Sequence, residues 1–199
     1  MQFKRCSCLA LVSMSLLAFA VNAQDASSSG TSRQQSIDAR AAATLKTLLD
    51  ESTAARELFD RAAGYAVFTA TKAGFLLTGG GGTGVAVDMA GGQRTYMRMG
   101  TGGLGLGIGA QRYELVILFE DTAHLARFTE GGWDASASAA AAAGSEGVLV
   151  NSSFIDGVAL FQQTKRGLMA QADVSGTRFW PIDDLNQPDE SDQRADAQR

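Results

Sequence analysis

Cysteine, proline and histidine are scarce in this chain of 199 residues, which contains two cysteines, two prolines and one histidine. Both cysteines, Cys6 and Cys8, stand at the N-terminus, so the rest of the chain has no disulfide, thiol nucleophile or thiolate metal site. The single histidine, His124, cannot form a typical zinc site without thiolates, and no serine lies in a nucleophile-elbow sequence. We interpret His124 as a surface or helix-capping residue, and we expect neither enzymatic activity nor a cofactor or metal.

The chain also lacks an apolar run of the about 20 residues that a membrane-spanning helix needs. A shorter apolar run, Leu9–Ala20, follows Lys4 and Arg5 and precedes Val21-Asn22-Ala23. This order is typical of an export signal that ends in a small-residue cleavage site. We predict a signal peptide at residues 1–23, cleavage after Ala23 and a periplasmic or secreted protein. An uncleaved membrane anchor is the less favoured alternative.

Basic side chains are outnumbered by acidic ones, at 17 against 21. Loss of Lys4 and Arg5 with the signal peptide leaves a net charge near −6. An acidic protein is a poor general partner for nucleic acid or for an anionic membrane. We therefore expect no nucleic-acid partner, and membrane binding would need a local basic patch.

The N-terminal part of the exported chain predicts a leader followed by a helix. Residues 24–32 (QDASSSGTS) are small and polar, which is typical of a flexible leader. From Arg33 to Ala63, apolar residues recur every three or four positions, as in an amphipathic helix packed on a sheet. A kink or break is expected near residues 50–53. An interfacial membrane helix is the less favoured alternative, because the charges on the polar face are balanced.

Beyond Gly64 the apolar period changes to two, which predicts β-strands. The stretch 74–109 is rich in glycine, and near its end glycine occupies every second position. We predict a strand over Tyr65–Thr71, a turn at Lys72-Ala73-Gly74 and the start of a second strand over Phe75–Thr78. A loop or bulge is predicted at Gly79–Gly82, followed by a hairpin of Thr83–Ala90 and Gln93–Met99 across Gly91-Gly92. The last predicted strand of this region is Thr101–Ala110, in which glycine alternates with other residues.

The second half predicts further strands and one short helix. The continuous apolar run in Glu114–Glu120 indicates a strand buried on both faces, and Asp121 is a candidate N-cap for a helix that reaches Thr129. Trp133–Ala143 is alanine-rich, and we predict a strand there rather than a helix. Other strands are predicted at Val148–Val150, Val158–Thr164, Leu168–Val174 and Thr177–Ile182, with a turn at Lys165-Arg166-Gly167. The polar residues 183–199 predict a disordered tail.

Together these elements predict an α+β domain over residues 33–182. An N-terminal amphipathic helix, continuous or broken, packs on a strongly curved or closed glycine-rich antiparallel sheet, and one short helix is inserted. Gly79–Gly84 and Gly100–Gly105 match the spacing GxGxxG, but a strand rather than a helix follows each, so they predict no nucleotide site. The glycines instead let strands bend and pack closely.

Basic residues fall in or near the glycine-rich strands and the predicted turns, namely Lys72, Arg94, Arg98, Arg112, Lys165 and Arg166. If these turns converge, they form a cationic rim beside an apolar side chain, which suits a phospholipid headgroup and its acyl chain. We predict lipid contacts for Lys72, Phe75, Lys165 and Arg166. Ordinary scattered surface charge is the alternative for each of them.

Several blocks in this order resemble the SYLF domain family. The resemblance covers about Leu45 to Ile182. Its first blocks are Lys72-Ala73-Gly74-Phe75, the glycine run with Gly84, and Gly103–Gln111 followed by Leu115–Phe119. Its later blocks are Ala126-Arg127-Phe128 followed by Gly132-Trp133, Gly167–Ala170 and Gly176–Phe179. Bacterial members of the family are typically small exported proteins, in agreement with the predicted signal peptide.

The resemblance implies a non-enzymatic domain that binds membrane lipids, and actin binding in the yeast endocytic members. Of the functions that the resemblance implies, actin binding is the least expected here, because an exported bacterial protein meets no cytosolic actin in its own cell. We therefore expect a phospholipid or membrane surface as the partner. The alternative is a structural envelope or matrix protein that acts through contacts with another envelope protein.

Overall fold

The computed structural model describes residues 18–74, 77–104, 109–131, 153–164, 167–169 and 176–187, and Gln34–Gln187 form one compact unit. The helices are α1 (Ala18–Glu51), α2 (Thr53–Phe59), α3 (Thr122–Thr129) and α4 (Asp183–Asn186). The strands are β1 (Gly64–Gly74), β2 (Leu77–Asp88), β3 (Arg94–Leu104), β4 (Gly109–Phe119), β5 (Val158–Thr164), β6 (Gly167–Met169) and β7 (Thr177–Pro181). The predicted strands Trp133–Ala143 and Val148–Val150 lie outside the described residues.

The strands form one antiparallel sheet in the order β6-β5-β4-β1-β2-β3-β7. The predicted α+β class is therefore confirmed, with an N-terminal helix on an antiparallel sheet. Among the described strands β6 and β7 are separate edges, so the sheet is open rather than closed. Closure is not needed to bury the apolar surface, because helices cover both faces of the central strands.

The helices divide the sheet into two apolar layers. On the first face, here called the α1 face, valines of β1, β2 and β4 pack against Leu48 of α1, Leu58 of α2 and Leu185 of α4. On the opposite face, the α3 face, Phe68 and Phe179 pack against Phe128 of α3, with ring centroids 6.1 Å and 5.1 Å from that of Phe128. Each strand therefore contributes alternate residues to two different cores.

Strand β4 confirms the prediction of a strand buried on both faces. Its residues Leu115, Val116, Ile117, Leu118 and Phe119 have no exposed surface. They alternate between the two cores, with Leu115, Ile117 and Phe119 on the α3 face and the other two on the α1 face. A continuous apolar run is what this double burial requires.

The break between α1 and α2 confirms the predicted interruption near residues 50–53. Ser52 caps α2, and its hydroxyl accepts a hydrogen bond of 3.2 Å from the Ala55 N–H. The helix nevertheless starts earlier than predicted. Residues 24–32, predicted as a flexible leader, lie within α1, because helix elongation adds one bond per residue and no proline stops it here. The signal peptide stays a prediction, since residues 1–17 lie outside the described residues.

The C-terminal boundary also differs from the predicted tail, which was to start at residue 183. Asp183–Asn186 form α4, and Leu185 is buried in the core on the α1 face. The Asn186 amide donates to the Tyr96 carbonyl at 2.8 Å, and its oxygen accepts from the Tyr96 N–H at 2.7 Å. This apolar anchor and this pair of hydrogen bonds fix the segment on the domain. Residues 188–199 lie outside the described residues.

The glycine-rich strands are longer and more regular than predicted. Lys72-Ala73-Gly74 continue β1 instead of forming a turn, and Gly79–Gly82 continue β2 in unbroken register instead of forming a loop. Likewise Thr101–Ala110 is not one strand, because β3 runs through to Leu104 and β4 begins at Gly109. The hairpin at Gly91-Gly92 is confirmed, with a longer turn in which the Asp88 carboxylate accepts from the Ala90 and Gly91 N–H groups at 3.0 and 3.1 Å.

Close contact between β1 and β2 explains why glycines stay in a regular strand. A Cβ at Gly80, Gly82 or Gly84 would overlap the carbonyl oxygen of Thr71, Thr69 or Val67, respectively, on β1. Glycine at these positions therefore serves close backbone approach and does not mark a loop.

We expect Gly84→Ala to lower the free energy of unfolding by about 2 kcal/mol or more, because its Cβ would meet both the Val67 carbonyl and the Phe68 ring. Gly79→Ala is the matched control in the same strand, since no atom lies within 4 Å of its added Cβ, and it should change stability by less than about 0.5 kcal/mol. Urea denaturation followed by circular dichroism measures both. Equal destabilisation by the two variants would contradict this account of the glycines.

Candidate functional site

Most of the predicted contact residues follow strands that end at one end of the sheet, here called the glycine end. Gly74, which closes β1, pairs with Gly109 at the start of β4, and Leu104 at the end of β3 pairs with Leu77. Strand β5 runs antiparallel to β4 and also ends in this direction, at Thr164. Phe75 follows β1, and Lys165 and Arg166 follow β5. These three residues lie outside the described residues, so their contact with lipid stays a prediction.

Lys72, the fourth predicted residue, lies within β1 near the glycine end. It was expected in a turn, but it pairs with Gly80 on β2 and with Gln111 on β4. Its side chain is half-buried. The alternation along β1, in which Phe68 and Ala70 belong to the core under α3, puts Lys72 on the α3 face.

Two buried hydroxyl groups share the row of Lys72 across the sheet. Gly80 pairs with Thr101 on β3, and Thr101 pairs with Thr177 on β7. Because Gly80 has no side chain, Thr101 is the next side chain to Lys72 along this row. Thr101 is 7% exposed and Thr177 is fully buried, yet neither hydroxyl oxygen has a hydrogen-bond partner.

A third polar side chain with an unpaired atom lies on the same face. Gln162 of β5 is 8% exposed, and its Oε1 atom has no hydrogen-bond partner. It follows Val158 and Leu160 on the α3 face at the period of a strand. Such groups are rare in folded proteins because each costs about 1–3 kcal/mol when left unpaired.

The side chains in the row of Lys72 share one kind of chemistry. A lysine ammonium and threonine hydroxyls are hydrogen-bond donors, and they suit the oxygens of a phosphate or carboxylate. We did not identify Thr101, Thr177 or Gln162 from the sequence. Strand periodicity gives the face of each residue within its own strand. Only the pairings of β1 with β2, β2 with β3 and β3 with β7 show that both threonines share the row of Lys72.

Arg94 belongs to a separate network and not to the glycine end. Its Nη1 donates to the Asp38 Oδ2 atom of α1 at 3.2 Å, and the Tyr96 hydroxyl donates to the same oxygen at 3.1 Å. Burial, followed by the negative charge of Asp38, raises the pKa of Tyr96. This network ties α1 to β3.

His124 lies at the N-terminus of α3, which follows the end of β4 opposite the glycine end. Asp121 caps the helix as predicted, and its carboxylate accepts from the His124 N–H at 2.8 Å and lies 2.8 Å from the ring Nδ1. These hydrogen bonds, the backbone one first, lower the pKa of Asp121. The imidazole also packs on Gly157, where a Cβ would overlap the ring. The described contacts of His124 are therefore those of a helix terminus.

Among the described residues, no group of three histidine, cysteine, aspartate or glutamate side chains could hold a metal ion. None of the described helices combines the length and the apolar character required to span a membrane. A polar cleft of about 240 Å³ lies between α3 and β2–β3, lined by Asp88, Gln93, Thr95 and Thr122 among others. No basic side chain lines it, so it lacks the chemistry of an anion site.

The unpaired hydroxyls give a test that separates a binding role from a structural one. Thr177→Val and Thr101→Val keep the shape of the side chain and remove a buried group without a partner. If these hydroxyls await a ligand, each substitution should raise the free energy of unfolding of the ligand-free protein by about 1 kcal/mol. Thermal unfolding measures this change, with Thr71→Val, an exposed residue of β1, as the control. A clear loss of stability in both variants would show that the hydroxyls have a structural partner.

Comparison with known proteins identifies the family. Residues 100–188 match the family model Ysc84, described as Las17-binding protein actin regulator. Over 151 residues, 76% of its length, the chain is 38% identical to a protein of Aeromonas veronii named Beta cell expansion factor A. The chain covers 58% of that relative's length. The family model covers β7 and the parts of β3, β4 and β5 at the glycine end, and the chain belongs to the SYLF domain family.

Proposed function

We propose that this protein is an exported, non-enzymatic lipid-binding domain that binds an anionic phospholipid headgroup at the glycine end of its sheet. The observation that carries the proposal is the row formed by Lys72, Thr101 and Thr177, in which two buried hydroxyls have no partner. A phosphate group has several acceptor oxygens and a negative charge, so it could accept from both hydroxyls and lie beside the positive charge of Lys72.

The surroundings of the row support a lipid rather than a free inorganic anion. The core on the α3 face continues directly below it, with Ala70, Met99 and Phe179 in the adjacent row. A ligand that reaches the hydroxyls would therefore also touch apolar side chains. Phe75, Lys165 and Arg166 follow strands that end nearby, and they are proposed as the further apolar and cationic contacts.

The acidic composition of the chain is compatible with this proposal. A chain with an excess of acidic residues does not bind anionic surfaces generally, so the interaction would depend on the local cations of the glycine end. The alternative is a structural envelope protein that acts through contacts with another protein. The family description names an actin regulator, but actin binding does not follow for an exported bacterial protein.

Vesicle cosedimentation tests the proposal. The chain from residue 24 should sediment with vesicles of phosphatidylcholine and phosphatidylglycerol, and added salt should weaken the binding. Lys72→Glu and the double variant Lys165→Glu with Arg166→Glu should each reduce the bound fraction several-fold. Arg127→Glu, on the exposed surface of α3, is the matched control for the change in charge and should bind like the unchanged protein.

The two possible failures of this experiment have different meanings. If the unchanged protein binds no vesicle of any tested composition, lipid binding is wrong and the protein-association alternative gains support. If vesicles bind and Lys72→Glu has no more effect than Arg127→Glu, the lipid-binding function stands and the glycine end is not its site.

A further inference from the structure

Among the elements that the structure describes, helices cover only half of the α1 face of the sheet. Helices α1, α2 and α4 pack on the half that contains Val67, Val85, Tyr96, Val116 and Leu118. Beyond these residues, toward the glycine end, two rows of side chains on the same face remain open, and we call them the bare face. The first row is Arg112, Thr71, Gly81, Gly100 and Arg178, and the second contains Ala110, Ala73, Gly79 and Gly102.

The bare face is flat because small residues fill its centre. No atom lies within 4 Å of a Cβ added at Gly79 or Gly102, and Thr71, Ala73 and Ala110 are exposed. The rows cross five neighbouring strands, which at about 4.8 Å per strand span about 19 Å. A surface of this width, with small side chains at its centre, can contact an extended surface.

The charged residues of this region are mainly arginines. Arg112 and Arg178 stand at opposite ends of the first row, and Arg98 borders it on β3. All three side chains are exposed, and within the part of the chain that the structure describes none of them takes part in an ion pair. Glu114 is half-buried on β4 in the neighbouring row that also holds Arg98. It is the one acidic side chain among the described residues of that row and of the two rows of the bare face.

A tryptophan lies beside the arginines. Trp180 of β7 pairs with Arg98, and its ring lies over Gly100, where a Cβ would come within 2.9 Å of it. Trp180 is 42% exposed, and Met89 is the only other large apolar residue of the described chain with comparable exposure. An alanine at position 100 would displace the ring, so the lack of a side chain at Gly100 makes room for Trp180.

We infer that the bare face docks on a bilayer that contains anionic phospholipids. This inference rests on the proposed lipid-binding function and adds the orientation of the domain on the membrane. Arginines near a membrane surface attract anionic headgroups, and tryptophan prefers the depth of the headgroups, where its ring is partly apolar and its N–H is solvated. The row of Lys72 lies on the other face of the same strands and would take a single headgroup at the glycine end.

A second copy of this chain fits the bare face less well than a bilayer does. If two such faces met about a two-fold axis, arginines would face arginines, which is unfavourable for association. A membrane surface instead offers negative charge at a density that arginines spaced across five strands can meet. Single-stranded nucleic acid is the remaining polyanion with suitable chemistry, and it is an outcome of the test below.

The test uses the chain from residue 24 with Trp133→Phe, which leaves Trp180 as the only tryptophan. We expect vesicles of phosphatidylcholine and phosphatidylglycerol to shift Trp180 emission to the blue, and brominated acyl chains to quench it. The triple variant Arg98→Glu, Arg112→Glu and Arg178→Glu should bind these vesicles at least tenfold more weakly. Arg40→Glu, Arg61→Glu and Arg127→Glu together form the matched control, because they make the same change in net charge at other exposed arginines.

The experiment distinguishes a wrong docking face from an absence of lipid binding. If the unchanged protein binds and both triple variants bind equally well, or if brominated lipid leaves Trp180 unquenched, the bare face is not the docking face although the lipid-binding function stands. If the unchanged protein binds no vesicle, both proposals fall, and binding of an oligonucleotide through the same arginines would then assign the face to nucleic acid. If the triple Arg→Glu variant does not fold, the three Arg→Gln substitutions replace it. Trp180 quenching is measured on the Trp133→Phe protein whose arginines are unchanged.

Discussion

Close approach between β1 and β2 is the constraint on which the rest of the structure depends. Gly80, Gly82 and Gly84 leave no room for a Cβ beside the carbonyl groups of β1. The two strands therefore stay paired without interruption from Gly64 to Gly74. This pairing positions β3 and β4 on either side, carries Lys72 into the sheet, and aligns Phe68 with the ring cluster of Phe128 and Phe179.

Near the glycine end, polar side chains are buried on one face of the sheet and exposed on the other. On the α3 face, hydroxyls of β3 and β7 are buried without partners. On the α1 face, the described helices cover only the other half of the sheet, and arginines and a tryptophan are exposed beside glycine residues. The first arrangement suits one anionic group held by donors, and the second suits a broad charged surface. Both follow from the same strands, because alternate residues of each strand point to opposite faces.

Sequence periodicity predicted the parts of this fold that depend on local pattern. The α+β class, the double burial of β4, the helix break at Ser52 and the cap of α3 at Asp121 could all be inferred from the order of apolar and capping residues. The glycine strands could not, because Gly79–Gly82 look like a loop unless the neighbouring carbonyls are known. The same limit applies to the site. Lys72 could be identified as a candidate, but its row with Thr101 and Thr177 depends on pairing between strands that are distant in sequence.

The central claim is that the glycine end and the adjoining strands contact lipid, and amide hydrogen exchange with and without anionic vesicles tests it most directly. The account predicts added protection in the segments 71–81, 98–102 and 177–180, while α1, α2 and α3 exchange as they do in solution. Protection confined to the helices, or spread evenly over the chain, would contradict the account.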